Sequence, residues 1–331
     1  MITRNNKIIA SLAFAVVAVT GANAQSLDAL SVFNIITTGD FNSQSDIEGR
    51  TLVGGNFTNS NSTNFATRLD QNAQDQTDAS LIVVGDIVNG NAINVLAGSV
   101  VVGGTVNGRN VQLNQNNRTV TFTENANINF DDTFTQLTLA SQSLSTLAMN
   151  NGNTVVFPGN SGGTTTFNIG SGVAQDGLAV FNVTEDVFDT RLGNTIDITG
   201  VQNTNRDVVI NVGSGDDGIV NIGTNFLNGF NQDANQVRIV FNFFDATEIN
   251  IATNFFGNIL APNAEINPQA NIDGSVFAES LTTQSELHIP TFDGNIEFEQ
   301  VPYLIAYQVP EPSSTLLLGL GGLGLLIRRK R

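Results

Sequence analysis

The chain has 331 residues with no cysteine, no tryptophan, a single histidine and a formal net charge of −17. Such acidity excludes the basic footprint of a nucleic-acid-binding protein, so no nucleic-acid partner is expected. The missing cysteines exclude disulfides and thiolate metal sites, so stability has to come from the core alone.

Arg4 and Lys7 form a basic start, Ile8 to Val19 an apolar run, and Ala22-Asn23-Ala24 a small-x-small cleavage pattern. That layout predicts a secretory signal peptide over residues 1–24, cut between Ala24 and Gln25. Both lysines, Lys7 and Lys330, fall in terminal segments, so the body over residues 25–308 carries only arginine as a fixed cation. A body of this length supplies its core as one large domain or as two closely packed halves. Asn, Thr, Gly and Ser abound, and short β-branched runs alternate with Asn/Gly turns, which predicts an all-β protein.

Leu27 to Ile36 has apolar spacing compatible with either a helix or a strand. A recurring phrase then begins: Leu52-Val53-Gly54-Gly55-Asn56-Phe57, then Leu81-Ile82-Val83-Val84-Gly85-Asp86-Ile87, then Val100-Val101-Val102-Gly103-Gly104-Thr105-Val106. Each copy is an apolar run, a glycine corner and a second short strand. The last two are spaced by one rung of a β-solenoid, in which stacked repeats bury a continuous core. Asn59 to Ala79, polar and rich in Asn, Gln, Asp and Thr, reads as a loop or surface excursion.

Asn129 to Met149 breaks the pattern. Asp131 and Asp132 suit a helix N-terminus, and Phe130, Phe134, Leu137, Leu144 and Ala148 fall near one helical face. This predicts one long helix, about residues 130–149, packed alongside the solenoid. Strands resume over Leu178–Val183, Thr195–Ile198, Val208–Val212, Ile219–Ile222, Val237–Phe243, Glu248–Ile251, Gly257–Leu260, Ala264–Ile266 and Gly274–Ala278.

The end of the chain has three parts. Val309-Pro310-Glu311-Pro312 is an extended turn, Ser313 to Ile327 is a short apolar stretch, and Arg328-Arg329-Lys330-Arg331 is a basic stop. The apolar run is shorter than the roughly 20 residues that cross a bilayer comfortably. Residues 309–331 resemble the PEP-CTERM sorting signal of Gram-negative bacteria. That resemblance implies recognition by an exosortase, transient inner-membrane insertion of a short apolar helix, and delivery to the cell surface or extracellular matrix. A second resemblance rests on Gly39-Asp40-Phe41, Asp46-Ile47-Glu48-Gly49-Arg50 and Val53-Gly54-Gly55-Asn56. It is continued by Ile259-Leu260-Ala261-Pro262-Asn263-Ala264 and Ile272-Asp273-Gly274. These look like the "choice-of-anchor A" family of surface adhesins. That family implies a right-handed β-helix with an accompanying helix, similar to ice-binding-like adhesive folds, and an adhesive or matrix role with no catalytic set to transfer.

Residue chemistry adds little to an enzymatic reading. His288 has no second histidine or cysteine to share a zinc ion and reads as a strand-end residue. Gly213-Ser214-Gly215-Asp216-Asp217-Gly218 resembles a calcium-binding turn in one copy only and reads as an acidic turn, so no cofactor is predicted, with Ca²⁺ as the alternative. Asp40, Asp46 and Glu48, with Arg50 nearby, read as corner hydrogen bonds and an ion pair. The chain is thus expected to be an exported, non-enzymatic adhesive or structural protein whose partner is an extracellular polysaccharide. A polysaccharide-degrading β-helix, with two close carboxylates, is one alternative. An ice-binding surface is another; it needs a regular Thr ladder, and Thr164-Thr165-Thr166 is a single cluster. A self-associating sheath protein is a third.

Overall fold

The computed structural model describes residues 27–69, 79–107, 111–113, 122–160, 162–201 and 205–296. The predicted signal peptide with its Ala24–Gln25 junction, and the predicted tail with Val309, Pro310, Glu311, Pro312, Arg328, Arg329, Lys330 and Arg331, lie outside them.

The chain forms a β-solenoid whose rungs are not stacked in chain order. Ten strands make its main ladder: β1 (Ile35–Thr37), β2 (Thr51–Val53), β3 (Ala79–Val83), β4 (Ser99–Val102), β5 (Phe122–Thr123), β6 (Leu178–Thr184), β7 (Asp207–Gly213), β8 (Ile239–Asn242), β9 (Asn258–Pro268) and β10 (Val276–Thr283). They are all parallel and lie in the order β5-β4-β3-β2-β1-β10-β9-β8-β7-β6. The first strand is therefore central. The chain winds outward from β1 to β5, crosses back through a helix, and winds inward from β6 until β10 pairs with β1, Ile35 opposite Val276. Two half-solenoids meet at a seam made by the two ends of the body.

The corners explain the recurring phrase. Asp40 Oδ1 accepts from the Asn56 N–H at 2.7 Å, Asn56 Oδ1 from the Asp86 N–H at 2.9 Å, and Asp86 Oδ1 from the Thr105 N–H at 2.6 Å. Each corner side chain thus ties one rung to the next. A Cβ on Gly55 would sit 2.4 Å from Asp40 Oδ1, and one on Gly104 2.1 Å from Asp86 Oδ1, so only glycine allows this stacking.

The inner strands of the main ladder, such as β1 to β4 and β8, are buried on both faces, which is why they read as unbroken apolar runs rather than alternating ones. In β3, Leu81 and Val83 point into the solenoid while Ile82 points outward. The outer side is covered by α1 (Asp28–Val32), by α2 (Asp131–Ser145) and by Phe292 and Ile296. Leu137, Ala140 and Leu144 of α2 pack there against Val209, Val240 and Leu260. The predicted helix is thus present, and its apolar face is core-facing. The undecided segment Leu27–Ile36 is both things in turn: α1 and then β1.

Two readings are corrected. Asn59 to Ala79 is not wholly loop, because Thr63–Phe65 is a strand paired in register with Ile93–Val95. Its signal was hidden by length: three residues suffice for a rung side when Thr63 and Phe65 point in and polar Asn64 points out. Gly257–Leu260 and Ala264–Ile266 are one continuous strand, β9, because the solenoid bends through Ala261–Glu265 without leaving the ladder.

Candidate functional site

Two further faces complete the solenoid. On one, Asn221 pairs with Asn250 and Asn250 with Asn267. The ladder continues through the Ile266–Leu281 pair, one position before Asn267 and Thr282. The seam is then crossed where Thr282 pairs with Asn42, and Asn42 pairs in turn with Thr58. The result is a single row, Asn221-Asn250-Asn267-Thr282-Asn42-Thr58, of uncharged amides and hydroxyls. The residue before each one, Val220, Ile249, Ile266, Leu281, Phe41 and Phe57, is buried, so strand periodicity presents the row outward. With adjacent strands about 4.8 Å apart, six members span roughly 24 Å. The Asn250 amide donates to Asn221 Oδ1 at 3.1 Å and to Glu248 Oε1 at 2.8 Å, which fixes the orientation of that part of the row.

Such a row sets amides and hydroxyls at a constant repeat, which matches a ligand that is itself periodic, although the Thr58 hydroxyl already donates to the Val88 carbonyl at 2.8 Å and Asn42 Oδ1 is buried. No aromatic ring belongs to it; the rings of Phe41 and Phe57 lie inside, 5.4 Å apart. Sequence reasoning missed the row because its members come from both halves of the chain. Only the rung order shows that Asn42 lies between Thr58 and Thr282.

The third face holds the Thr cluster. Thr165 is buried, and Thr164 faces outward with its hydroxyl 2.8 Å from that of Thr195. Thr199 donates to Asn168 Oδ1 at 2.9 Å. The cluster therefore extends over two rungs.

The acidic trio is dispersed to separate tasks. Asp40 ties a corner, Asp46 accepts from the Asn64 N–H and side-chain amide, and Glu48 pairs with Arg68 at 3.2 Å and accepts from the Ile289 N–H at 3.1 Å. Arg50 instead donates to the Ala79 carbonyl at 3.0 Å. In the Gly213–Gly218 turn, Asp217 Oδ1 accepts from the Ile219 N–H, and among the described residues no group of three His, Cys, Asp or Glu side chains is gathered around a metal-sized space.

His288 sits at the end of a strand, as expected, but at the seam. Asn34, wholly buried, donates to the Gly274 and His288 carbonyls and accepts from the Gly49 N–H, which clamps the two halves together. The His288 ring lies between Asp273, 2.8 Å from Nδ1, and Glu286, 2.9 Å from Nε2. Both ring nitrogens are thus occupied by carboxylates. Burial works against the charged ring, yet the hydrogen bonds it donates to Glu286 and Asp273, with the Asp273 and Glu48 charges, hold its pKa above the ordinary histidine value. Burial likewise raises the Asp273 carboxyl, against the opposing pull of His288. A raised folded-state pKa adds stability that is complete below the unfolded value, about 6.5 for histidine, and is lost as pH rises through the folded value. The raised Asp273 pKa has the same sign, but its contribution is complete only below the ordinary carboxyl value of about 3.9, so the pH 6 to 8 difference is assigned to His288. The body is expected to be more stable at pH 6 than at pH 8, by on the order of 0.5–1 kcal/mol for a partly exposed pair. Urea melts of His288→Gln should lose most of that difference; an unchanged slope would place its origin elsewhere.

The chain matches the family described as "Putative Ice-binding-like adhesive domain" over residues 26–289. It belongs to that family. The adhesive domain is followed by a match to the PEP-CTERM protein-sorting motif over residues 308–331. An adhesive domain with this sorting signal makes an exported surface protein of a Gram-negative bacterium, and the motif implies processing by an exosortase. No curated protein matches the chain. Among solved structures, it is similar to the ice-binding protein of the Antarctic ascomycete Antarctomyces psychrotrophicus, at 13% identity over 81% of this chain and all of that one, with a TM-score of 0.34.

Proposed function

We propose that the adhesive domain attaches to an extracellular polysaccharide through the row Asn221-Asn250-Asn267-Thr282-Asn42-Thr58, as a non-enzymatic matrix or biofilm component. In this reading residues 1–24 are removed on export, residues 25–308 form the body, and the segment from Val309 to Arg331 is the exosortase-processed tail. One observation carries the proposal: the row is uncharged and periodic across the seam. Sugar hydroxyls are both donors and acceptors, as amides are, so a polymer laid along the row meets a partner at each rung. A rigid row spares the entropy of ordering a loop on binding.

The test is to incubate the exported protein with exopolysaccharide from its own host and follow polymer molar mass by light scattering. Co-elution with an enlarged polymer is expected, and Asn42→Asp together with Thr58→Asp should weaken it at least tenfold by adding charge to one end of the row. A falling polymer mass would overturn the proposal in favour of the polysaccharide-degrading alternative. The family description also favours a second reading, contact with ice, in which the same row orders water. Thermal hysteresis that disappears in the Asn42→Asp, Thr58→Asp variant, with no polymer binding, would select it.

A further inference from the structure

At the β6 end of the solenoid the two neighbouring ladders are finished differently. The edge of β6 is closed by side chains: Asn150 Oδ1 accepts from the Val180 N–H at 2.5 Å, and the Asn153 amide donates to the Val180 carbonyl at 3.0 Å. These amides occupy backbone groups that would otherwise recruit another strand. The adjacent ladder ends in Thr154–Val156, which pairs antiparallel with Thr164–Asn168, Val155 opposite Phe167. It is the last strand of that ladder, and its outer edge has no partner strand among the described residues. Beyond its three-residue length it carries no edge protection of the usual kinds, neither a charge nor an internal proline. Instead Val156 is 52% exposed and the following Phe157 45%. Leu192, 41% exposed, is in the turn beside them, where Gly193 lies against the Pro158 ring.

Charge identifies the occupant. From Thr133 to Gln175 there is no Asp, Glu, Lys or Arg, in a chain of net charge −17. The nearby Arg191 is paired with Asp189 at 2.6 Å, so it adds no net charge. A basic partner would be drawn to the acidic surfaces elsewhere. Two copies of this chain repel each other over those surfaces and meet without repulsion here. An antiparallel edge is also self-complementary: a strand related to itself by a two-fold axis continues the sheet across the contact.

We infer that Thr154–Val156 is a self-association edge, at which two copies pair antiparallel about a two-fold axis, with Val156, Phe157 and Leu192 packed across it. A pair formed this way points its two polar rows away from a shared end and doubles the valence of the surface protein. The inference does not depend on what the row binds.

The native chain has no cysteine, so one introduced thiol reports one position. In the full chain exported by its host, Val156→Cys is expected to give a disulfide-linked dimer under mild oxidation. Val32→Cys, at 51% exposure of the native side chain, should stay monomeric as the control. In sedimentation runs over a range of protein concentrations, Val156→Lys and, separately, Phe157→Lys should each weaken dimerisation at least tenfold with an unchanged melting temperature. Equal cross-linking of the two cysteine variants, a monomer at every concentration, or a dimer indifferent to both lysines would each overturn the inference.

Discussion

Phe241→Ala is expected to destabilise the body by about 3–5 kcal/mol, the usual range for emptying a fully buried aromatic site. The ring is wholly buried, with Phe255 at 4.9 Å, Phe230 at 5.6 Å, Phe226 at 5.8 Å, and Phe188 and Phe243 both at 6.3 Å between centroids. The neighbours cannot collapse into the gap easily, because Phe226 and Phe255 are anchored in strands of their own and β8, which carries Phe241, is paired on both sides. The partners all belong to the half-solenoid that follows α2, while the other half has its own aromatic group, Phe41, Phe57 and Phe65. Urea titration measures the total loss. Hydrogen exchange should show β6 to β9 losing protection before β2 to β4. A loss under about 1 kcal/mol would mean that the ring cluster repacks around the space.

Local features of this architecture were legible in the sequence, and its long-range order was not. The phrases at Leu52, Leu81 and Val100 are successive rungs, with Leu52 opposite Ile82 and Ile82 opposite Val101. They could be read because each needs the same glycine corner. The helix could be read because Leu137, Ala140 and Leu144 repeat at helical spacing. What no local pattern carries is that β1 pairs with β10, or that α2 returns the chain to the far end of the stack. Those follow from which apolar edges remain unpaired once every rung is closed. The candidate row shares that property, since Asn42 and Thr282 look like ordinary loop-flanking residues until the seam places them side by side. His288 was placed correctly at a strand end, yet Asp273 and Glu286 became its partners only because consecutive rungs put Asp273 opposite it and the chain turns back at Glu286.

Asn242→Leu is expected to cost about 2–4 kcal/mol, although leucine is close to asparagine in size and the site is buried. The position lies on the outer side of β8, under α2. Asn182, Asn211 and Asn242 stand in register on three rungs and form an amide ladder, with Asn242 donating to Asn211 Oδ1 at 2.8 Å and Asn211 to Asn182 Oδ1 at 2.9 Å. The same amides hold the helix. The Ser141 hydroxyl donates to Asn242 Oδ1 at 2.6 Å, the Asn242 amide to the Ser141 carbonyl, Asn211 to the Leu144 carbonyl and Asn182 to the Leu147 carbonyl. The last carbonyls of a helix lack intrahelical donors, and α2 has no basic residue in its last turn, so Asn211 caps one of them at Leu144 while Asn242 and Asn182 hold the chain at Ser141 and Leu147 on either side. Leucine at 242 leaves Asn211 Oδ1 buried without a donor, at about 1–3 kcal/mol, and removes the bonds that hold Ser141. The Ser141 hydroxyl can turn back to a carbonyl of its own helix, which limits the total. Because removing both members of a buried pair spares the orphan, Asn211→Leu with Asn242→Leu should cost less than the sum of the single changes. Equilibrium unfolding of the three variants measures that coupling. Strict additivity, or a single-mutant cost below about 0.5 kcal/mol, would show that α2 is held by its apolar face alone.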